Sequence, residues 1–127
     1  MIRAYLSHAI RGSKGEDATE QDMVDNNQLA IAFADKLRQM WPRLDLYVPA
    51  EHDEFVVTAY KMGVLNEDEI LDVDTKMLDK RDLLIVFIPD GYTSRGMQVE
   101  IAYARTHAIP ILCGSEDTCG FIHLEAF

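Results

Sequence analysis

Two acidic residues, Asp74 and Glu100, lie where a carboxylate is suited to chemistry rather than to solvation. At about 100° per residue, Asp74 falls near the middle of its predicted helix's apolar stripe, and Glu100 falls roughly 60° from the centre of the next one. Burying a carboxylate is costly unless it is paired or hydrogen-bonded. Two half-buried carboxylates near strand ends indicate acid–base or nucleophilic chemistry at a sugar carbon. The stripes are formed by Ile70, Leu71, Met77 and Leu78, and by Met97, Ile101, Ala104 and Ala108.

Each carboxylate also has a simpler interpretation. A helix phase shifted by one turn would move Asp74 off the apolar stripe, and Asp74 would equally serve to cap a neighbouring backbone. Glu100 would be solvated at the edge of the core, where Gly96, four residues earlier, leaves the surface above it open. Position on a helix does not separate these interpretations from the catalytic one.

The charge of the chain is unevenly distributed. Met1–Gly15 contains three basic residues and no acid, whereas Asp45–Asp82 contains eleven acids and four bases. A basic, glycine-containing stretch in an acidic protein predicts a site for a small anion. Chance is the alternative, because charge distribution alone does not distinguish the two.

The whole composition limits the classes of partner. The 127 residues, 48% of them apolar, fit a single domain spanning residues 1–127. A net charge of -10 argues against a nucleic-acid polymer or an anionic membrane surface as a partner. No run approaches the roughly 18 apolar residues of a membrane span. We therefore expect neither nucleic acid nor membrane as a partner.

Cysteine and histidine usage predicts the compartment and the absence of a metal. Cys113 and Cys119 lack both metal-ligand spacing and a disulfide framework, and the N-terminus has no signal-peptide pattern. The four histidines are scattered, with no paired ligand spacing. We expect an intracellular, cytoplasmic protein without a metal or cofactor.

The elements that must position these residues alternate along the chain. We predict strands at Ile2–Ser7, Leu44–Val48, Leu83–Ile88 and Ile109–Cys113, and helices at about Glu20–Met40, Glu54–Met62, Glu67–Lys80 and Arg95–His107. Asn66 and Ser94 are predicted N-caps, and the tail from Gly120 to Phe127 is ambiguous. This order predicts an α/β fold: a doubly wound (flavodoxin/Rossmann-like) open parallel sheet of 4–5 strands flanked by helices.

In such sheets, ligands bind at the carboxyl ends of the strands, near the point where the strand order reverses. The candidate loops are therefore Ser7–Gly15, Pro49–Asp53 and Pro89–Gly96. The first of these overlaps the basic stretch.

Three segments, Tyr5–Gly12, Asp74–Asp82 and Ser94–Ala104, resemble the nucleoside 2-deoxyribosyltransferase-like superfamily. The resemblance is to its nucleoside 5'-monophosphate N-glycosidase branch in particular. The first segment ends in Ile-Arg-Gly, the second is a helix led by Asp, and the third has the pattern Ser-x-Gly-x-x-x-Glu. Their order and approximate spacing agree over about residues 2 to 113.

The resemblance implies roles for named residues. Glu100 matches the nucleophile that attacks the anomeric carbon, Asp74 the acid that serves the departing base, and Tyr5 a tyrosine that orients the nucleophile. The implied substrate-binding residues are His8, Ala9, Ile10, Arg11, Gly12, Ser94, Gly96 and Met97. The interpretation of Met97 as a packing residue also stays open. Physical reasoning independently favours an anion site at a helix start beside an arginine.

Two positions bear on the substrate. The free-nucleoside transferases carry an Asp where this chain has Ser94, so the resemblance favours a nucleotide monophosphate. His8 and Ala9 replace the glycine and hydroxyl residue typical before Ile-Arg, which removes one contact to phosphate or sugar. His8 would then narrow the base pocket or supply a new donor.

The resulting hypothesis is a hydrolase that cleaves the N-glycosidic bond of a (deoxy)ribonucleoside 5'-monophosphate and releases base and sugar 5-phosphate. A transferase that exchanges bases and a non-catalytic nucleotide-binding module are the alternatives. The resemblance also implies a homodimer or a higher homo-oligomer.

Overall fold

The computed structural model describes residues 1–54, 58, 62–64 and 66–127. Most of the predicted helix Glu54–Met62 lies outside the described residues.

The described chain forms five strands and three longer helices. The strands are β1 (Ile2–Ser7), β2 (Leu44–Tyr47), β3 (Leu83–Phe87), β4 (Ile111–Glu116) and β5 (Ile122–Ala126). The helices are α1 (Glu20–Met40), α2 (Glu67–Asp79) and α3 (Arg95–Thr106). Short 3-10 turns follow β1 at Gly12–Asp17 and β2 at Pro49–His52.

The strand order is β2-β1-β3-β4-β5, and the first four strands are parallel. This confirms the predicted α/β, doubly wound open sheet. The ambiguous tail supplies β5, which pairs antiparallel with β4 and so makes one edge of the sheet mixed. The order reverses between β1 and β3, and the carboxyl ends of these two strands are therefore the expected ligand position.

Two cores lie on opposite faces of the sheet. Because successive strand residues point to opposite sides, Leu6 packs with α1 while Tyr5 packs with α2 and α3. The α1 side is centred on Phe33, which stacks on Phe87 with ring centroids 4.4 Å apart. Neighbouring residues of one strand thus serve two separate environments.

Side-chain caps set the starts of the helices. Asn66 accepts a hydrogen bond from the Glu69 amide while the Glu69 carboxylate accepts one from the Asn66 amide. Ser94 accepts from the amide of Met97. Both predicted N-caps are confirmed, and each satisfies an amide that the first helical turn leaves unpaired.

Strand β4 begins two residues later than its predicted start at Ile109. Ala108 has a positive φ of 55°, and the amide of Ile109 donates to the carbonyl of Ala104 at 2.8 Å. Residue 109 therefore still belongs to the termination of α3. None of the helices in the described part of the chain is long and apolar enough to cross a membrane.

Candidate active site

Glu100 projects from α3 toward the carboxyl end of β1. Its side chain is buried, with 6% of the residue exposed, and the hydroxyl of Ser7 donates to its Oε1 at 3.1 Å. Glu100 is therefore buried more deeply than the predicted position at the edge of the core. Met97 and Ile101, on either side of Glu100, are buried on the same helix face and turn the carboxylate toward the sheet.

Two buried polar atoms at this position have no hydrogen-bond partner among the described residues. They are the Tyr5 hydroxyl and Oε2 of Glu100. The hydroxyl is near enough to lower the pKa of the Glu100 carboxyl, yet the two groups do not meet in hydrogen-bonding geometry. Buried groups are nearly always paired in folded proteins. The burial of these two groups therefore has a cost in stability that no hydrogen bond among the described residues offsets.

Burial raises the pKa of Glu100 to about 8 because a carboxylate is poorly solvated there. The charge of Asp74 raises it further, while interactions with Tyr5 and Ser7 lower it. The pKa of Tyr5 is well above its usual range, first through burial and then through the two carboxylates. Glu100 therefore retains its proton at neutral pH.

Asp74 lies on α2 and is half-buried. Within the described part of the chain, its carboxylate has no hydrogen-bond or ion-pair partner, and burial raises its pKa to about 6. Its charge acts on Glu100 and Tyr5, so the structure brings together the three predicted catalytic residues. Two acids whose pKa values differ in this way are suited to divide the roles of acid and base.

Tyr47 was missed by the sequence analysis. It ends β2 in register with Tyr5, with ring centroids 5.5 Å apart, and Asp74 and Glu100 both contribute to its raised pKa after burial. The ring of His52 stacks on it at 5.3 Å. Its place at a strand's carboxyl end was the only signal in the sequence.

The predicted phosphate loop is a tight turn after β1. The amide of Gly12 donates to the carbonyl of Ala9 at 3.1 Å, and Asn26 Nδ2 donates to the carbonyl of Ile10 at 2.9 Å. Gly12 has φ of 60°, and a Cβ there would lie 2.9 Å from Asn26 Nδ2, so the turn requires glycine. Arg11 is exposed, and no ion pair holds its guanidinium within the residues that the structure describes.

The three predicted substrate-binding residues at the start of α3 lie in different surroundings. Ser94 Oγ accepts from the Met97 amide at 3.2 Å, which leaves its hydroxyl proton free to donate. Gly96 faces α2, where an added Cβ would lie 3.6 Å from Leu71. Met97 is fully buried beside Tyr5 in the core, which favours the packing interpretation, and its role in substrate binding stays a prediction.

His8 lies on the other side of β1 from Glu100. Its Nε2 is 2.7 Å from Asn27 Oδ1, and Asn27 Nδ2 donates to Asp53 Oδ2 at 2.8 Å. Ser7 and His8 are consecutive, so the loop presents groups to both sides of the strand. Asp53 ends the predicted candidate loop Pro49–Asp53, whereas Asn27 was not predicted as a site residue, although it falls on the buried face of α1 with Ala30.

The two remaining residues of the predicted loop, Ala9 and Ile10, differ in burial. Ala9 packs against the α2/α3 side, whereas Ile10 is largely exposed. In the described part of the chain, no group of three or more His, Cys, Asp or Glu side chains is arranged to hold a metal ion.

No protein-family model matches the sequence, and no curated protein matches it. A solved structure described as a conserved protein from Enterococcus faecalis is similar, with a TM-score of 0.68 and 20% sequence identity. The similarity covers 93% of this chain and 65% of that one, so this chain spans about two thirds of the other's length. At this identity the comparison shows a shared fold alone.

Proposed function

We propose that the protein is a hydrolase that cleaves the N-glycosidic bond of a (deoxy)ribonucleoside 5'-monophosphate. The products are the free base and a sugar 5-phosphate. One observation carries the proposal: Glu100 and Asp74, two carboxyls of raised pKa, share one face at the carboxyl edge of the sheet. Beside them the Tyr5 hydroxyl and Glu100 Oε2 lack protein partners.

The protonation of the pair matches what this reaction needs. With pKa values of about 8 for Glu100 and about 6 for Asp74, the pair holds one proton at neutral pH, mainly on Glu100. Transfer of that proton to Asp74 leaves Glu100 as a carboxylate nucleophile and Asp74 as an acid. No external acid or base is required.

The bond changes then follow in two steps. The Glu100 carboxylate forms a bond to the anomeric carbon as the carbon–nitrogen bond breaks, and the base leaves with the proton from Asp74. A water then attacks the anomeric carbon, gives its proton to Asp74, and releases the sugar 5-phosphate from Glu100. Tyr5, beside Glu100 and fully buried, orients the nucleophile.

The phosphate is assigned to groups at two neighbouring loops. Arg11 is exposed and able to bridge two phosphate oxygens, and the Ser94 hydroxyl retains a proton to donate at the start of α3. Gly12 allows the positive φ of the turn that carries Arg11, and Gly96 lies directly after Ser94 and Arg95 in the first turn of α3. A mononucleotide contacts only this local site, whereas a nucleic-acid polymer is repelled by the net charge of -10 on the whole chain.

The test is a panel of ribo- and deoxyribonucleoside 5'-monophosphates, with the matching nucleosides as controls, followed by chromatography for free base. We expect base from at least one monophosphate and little from its nucleoside. A parallel sample with a second, different base separates hydrolysis from transfer, because a transferase would form the new nucleotide faster than sugar phosphate. No free base from any nucleotide would refute the proposal.

A further inference from the structure

A small cavity lies on the α1 side of the sheet, between the turn after β1 and the loop after β3. Its volume is about 30 Å³, and its walls include His8, Asn26, Phe87, Asp90 and Tyr92. A space of this size holds one small group, not a nucleobase ring. It lies at the point where the strand order reverses.

The hydrogen-bond chain behind the cavity determines how His8 is presented. An ionised Asp53 only accepts hydrogen bonds, so Asn27 must turn its Nδ2 toward Asp53 and its Oδ1 toward His8. His8 Nε2 therefore carries the hydrogen in this contact. Burial lowers the pKa of His8, which favours the neutral ring with a lone pair on Nδ1. Nδ1 has no hydrogen-bond partner among the described residues.

Two further polar residues that line the cavity, Asn26 and Asp90, also offer acceptors. Asn26 uses Nδ2 to bond the carbonyl of Ile10, which leaves its Oδ1 unpaired. Asp90 accepts from the Tyr92 amide through Oδ1 and has a second oxygen left. The described residues that line the cavity include no Lys or Arg. Such a set of acceptors favours a hydrogen-bond donor at His8, Asn26 and Asp90.

We propose that this cavity is a subsite for a single hydrogen-bond-donating group of the substrate, with His8 Nδ1 as its acceptor. The inference rests on the proposed function. The donor is an exocyclic amino group of the base or a hydroxyl of the sugar. Asn27 and Asp53 are positioning residues, since they act on the substrate only through the ring of His8. Because Ser7 and His8 are consecutive, a substrate at Glu100 reaches the cavity across the end of β1.

The experiment measures nucleotide affinity by titration calorimetry in E100Q, which keeps the site without turnover. Two pairs differ only in the amino group: AMP against purine riboside 5'-monophosphate, and CMP against 2-pyrimidinone riboside 5'-monophosphate. Ribose against 2'-deoxyribose tests the hydroxyl. We expect the donor-bearing member of one comparison to bind about fivefold to tenfold more tightly. In E100Q/H8F that preference falls to near unity, while E100Q/H123F, altered on the distant hairpin, retains it.

A measurement that keeps His8 in place tests the inference even if the H8F variant does not fold correctly. Nitrogen NMR of the imidazole should show His8 as the Nε2–H tautomer, shift Nδ1 on adding the preferred nucleotide, and show a mixture of tautomers in D53N. If nucleotides are cleaved but no comparison shows a donor preference, or H8F leaves the preference intact, this inference alone is wrong. If no nucleotide binds, the proposed function fails and the inference fails with it.

Discussion

The two sides of the sheet bury polar groups at the same edge in opposite ways. On the α1 side, His8, Asn27 and Asp53 form a continuous hydrogen-bonded chain. On the α2/α3 side, the Tyr5 hydroxyl and Glu100 Oε2 are buried with no hydrogen-bond partner in the part of the chain that the structure describes. Burial of an unpaired group lowers stability, whereas hydrogen bonding offsets that cost. The α1 side therefore holds its polar groups in fixed positions, whereas the α2/α3 side keeps its polar groups available to react.

The largest expected effect is the loss of catalysis in Glu100→Gln. Glutamine keeps the shape and the Ser7 contact but cannot attack the anomeric carbon, so release of base should fall by at least on the order of 10³-fold. Chromatography of free base measures it. Glu125→Gln on the exposed edge strand β5 is the matched control and should retain wild-type turnover. Equal rates in wild type and Glu100→Gln would contradict the reactive role assigned to the α2/α3 side.

The same variant should change how stability depends on pH. Burial raises the pKa of Glu100 from 4.5 to about 8, so the folded protein binds this proton more tightly than the unfolded chain does. The contribution is fully present below the ordinary value and is lost as pH rises through about 8. Urea unfolding at a series of pH values should show this loss in wild type, and Glu100→Gln should lack it.

Turnover should follow a bell-shaped pH profile. The reactive pair needs one proton, so kcat/KM should fall below about 6, where both carboxyls are protonated, and above about 8, where both are ionised. Each limb approaches a tenfold change per pH unit. Initial rates at constant ionic strength give the profile. A rate that does not change across both values would rule out the pair as acid and nucleophile.

Breaking the hydrogen-bonded side should cost stability. Asn27→Leu keeps the volume of the side chain but leaves His8 and Asp53 without partners, so the free energy of unfolding should fall by about 2–3 kcal/mol. Urea unfolding measures it. Gln28→Leu, one position away on the exposed face of α1, should change it by less than about 0.5 kcal/mol. Equal effects of the two variants would contradict the assigned network.

The smallest effect is expected for Tyr5→Phe. The variant removes a buried hydroxyl that lacks a partner, so the free energy of unfolding should stay level or rise by up to about 1 kcal/mol. Turnover should fall about tenfold, because the variant removes the nearby hydroxyl that lowers the pKa of the Glu100 carboxyl. A loss of stability similar to that of Asn27→Leu would show that the hydroxyl is bonded in solution.

The fold was predictable where the signal is local. The apolar run of Leu83–Phe87 indicates a strand covered on both faces, and the caps at Asn66 and Ser94 locate two helix starts. Strand β5 was not predictable, because an exposed antiparallel edge strand depends on a partner elsewhere in the chain. The late start of β4 follows from the turn after α3, where Ala108 has a positive φ.

The candidate site was predictable to a similar extent. Helical periodicity locates Asp74 and Glu100 near the core, but the depth of Glu100 depends on the contact with Ser7, which no pattern within α3 contains. The chain from His8 to Asp53 joins three separate segments and becomes visible only in the folded protein. Tyr47 joins the site for the same reason.

The central claim, that Glu100 is the nucleophile at the anomeric carbon, is tested most directly by trapping the glycosyl-enzyme. A cleavable nucleotide with fluorine at the 2' carbon slows release of the sugar, and mass spectrometry of the quenched protein locates the adduct. The account predicts one sugar 5-phosphate on the peptide that contains Glu100, and none in Glu100→Gln. Stoichiometric release of base with no adduct, or with an adduct on another residue, would contradict it.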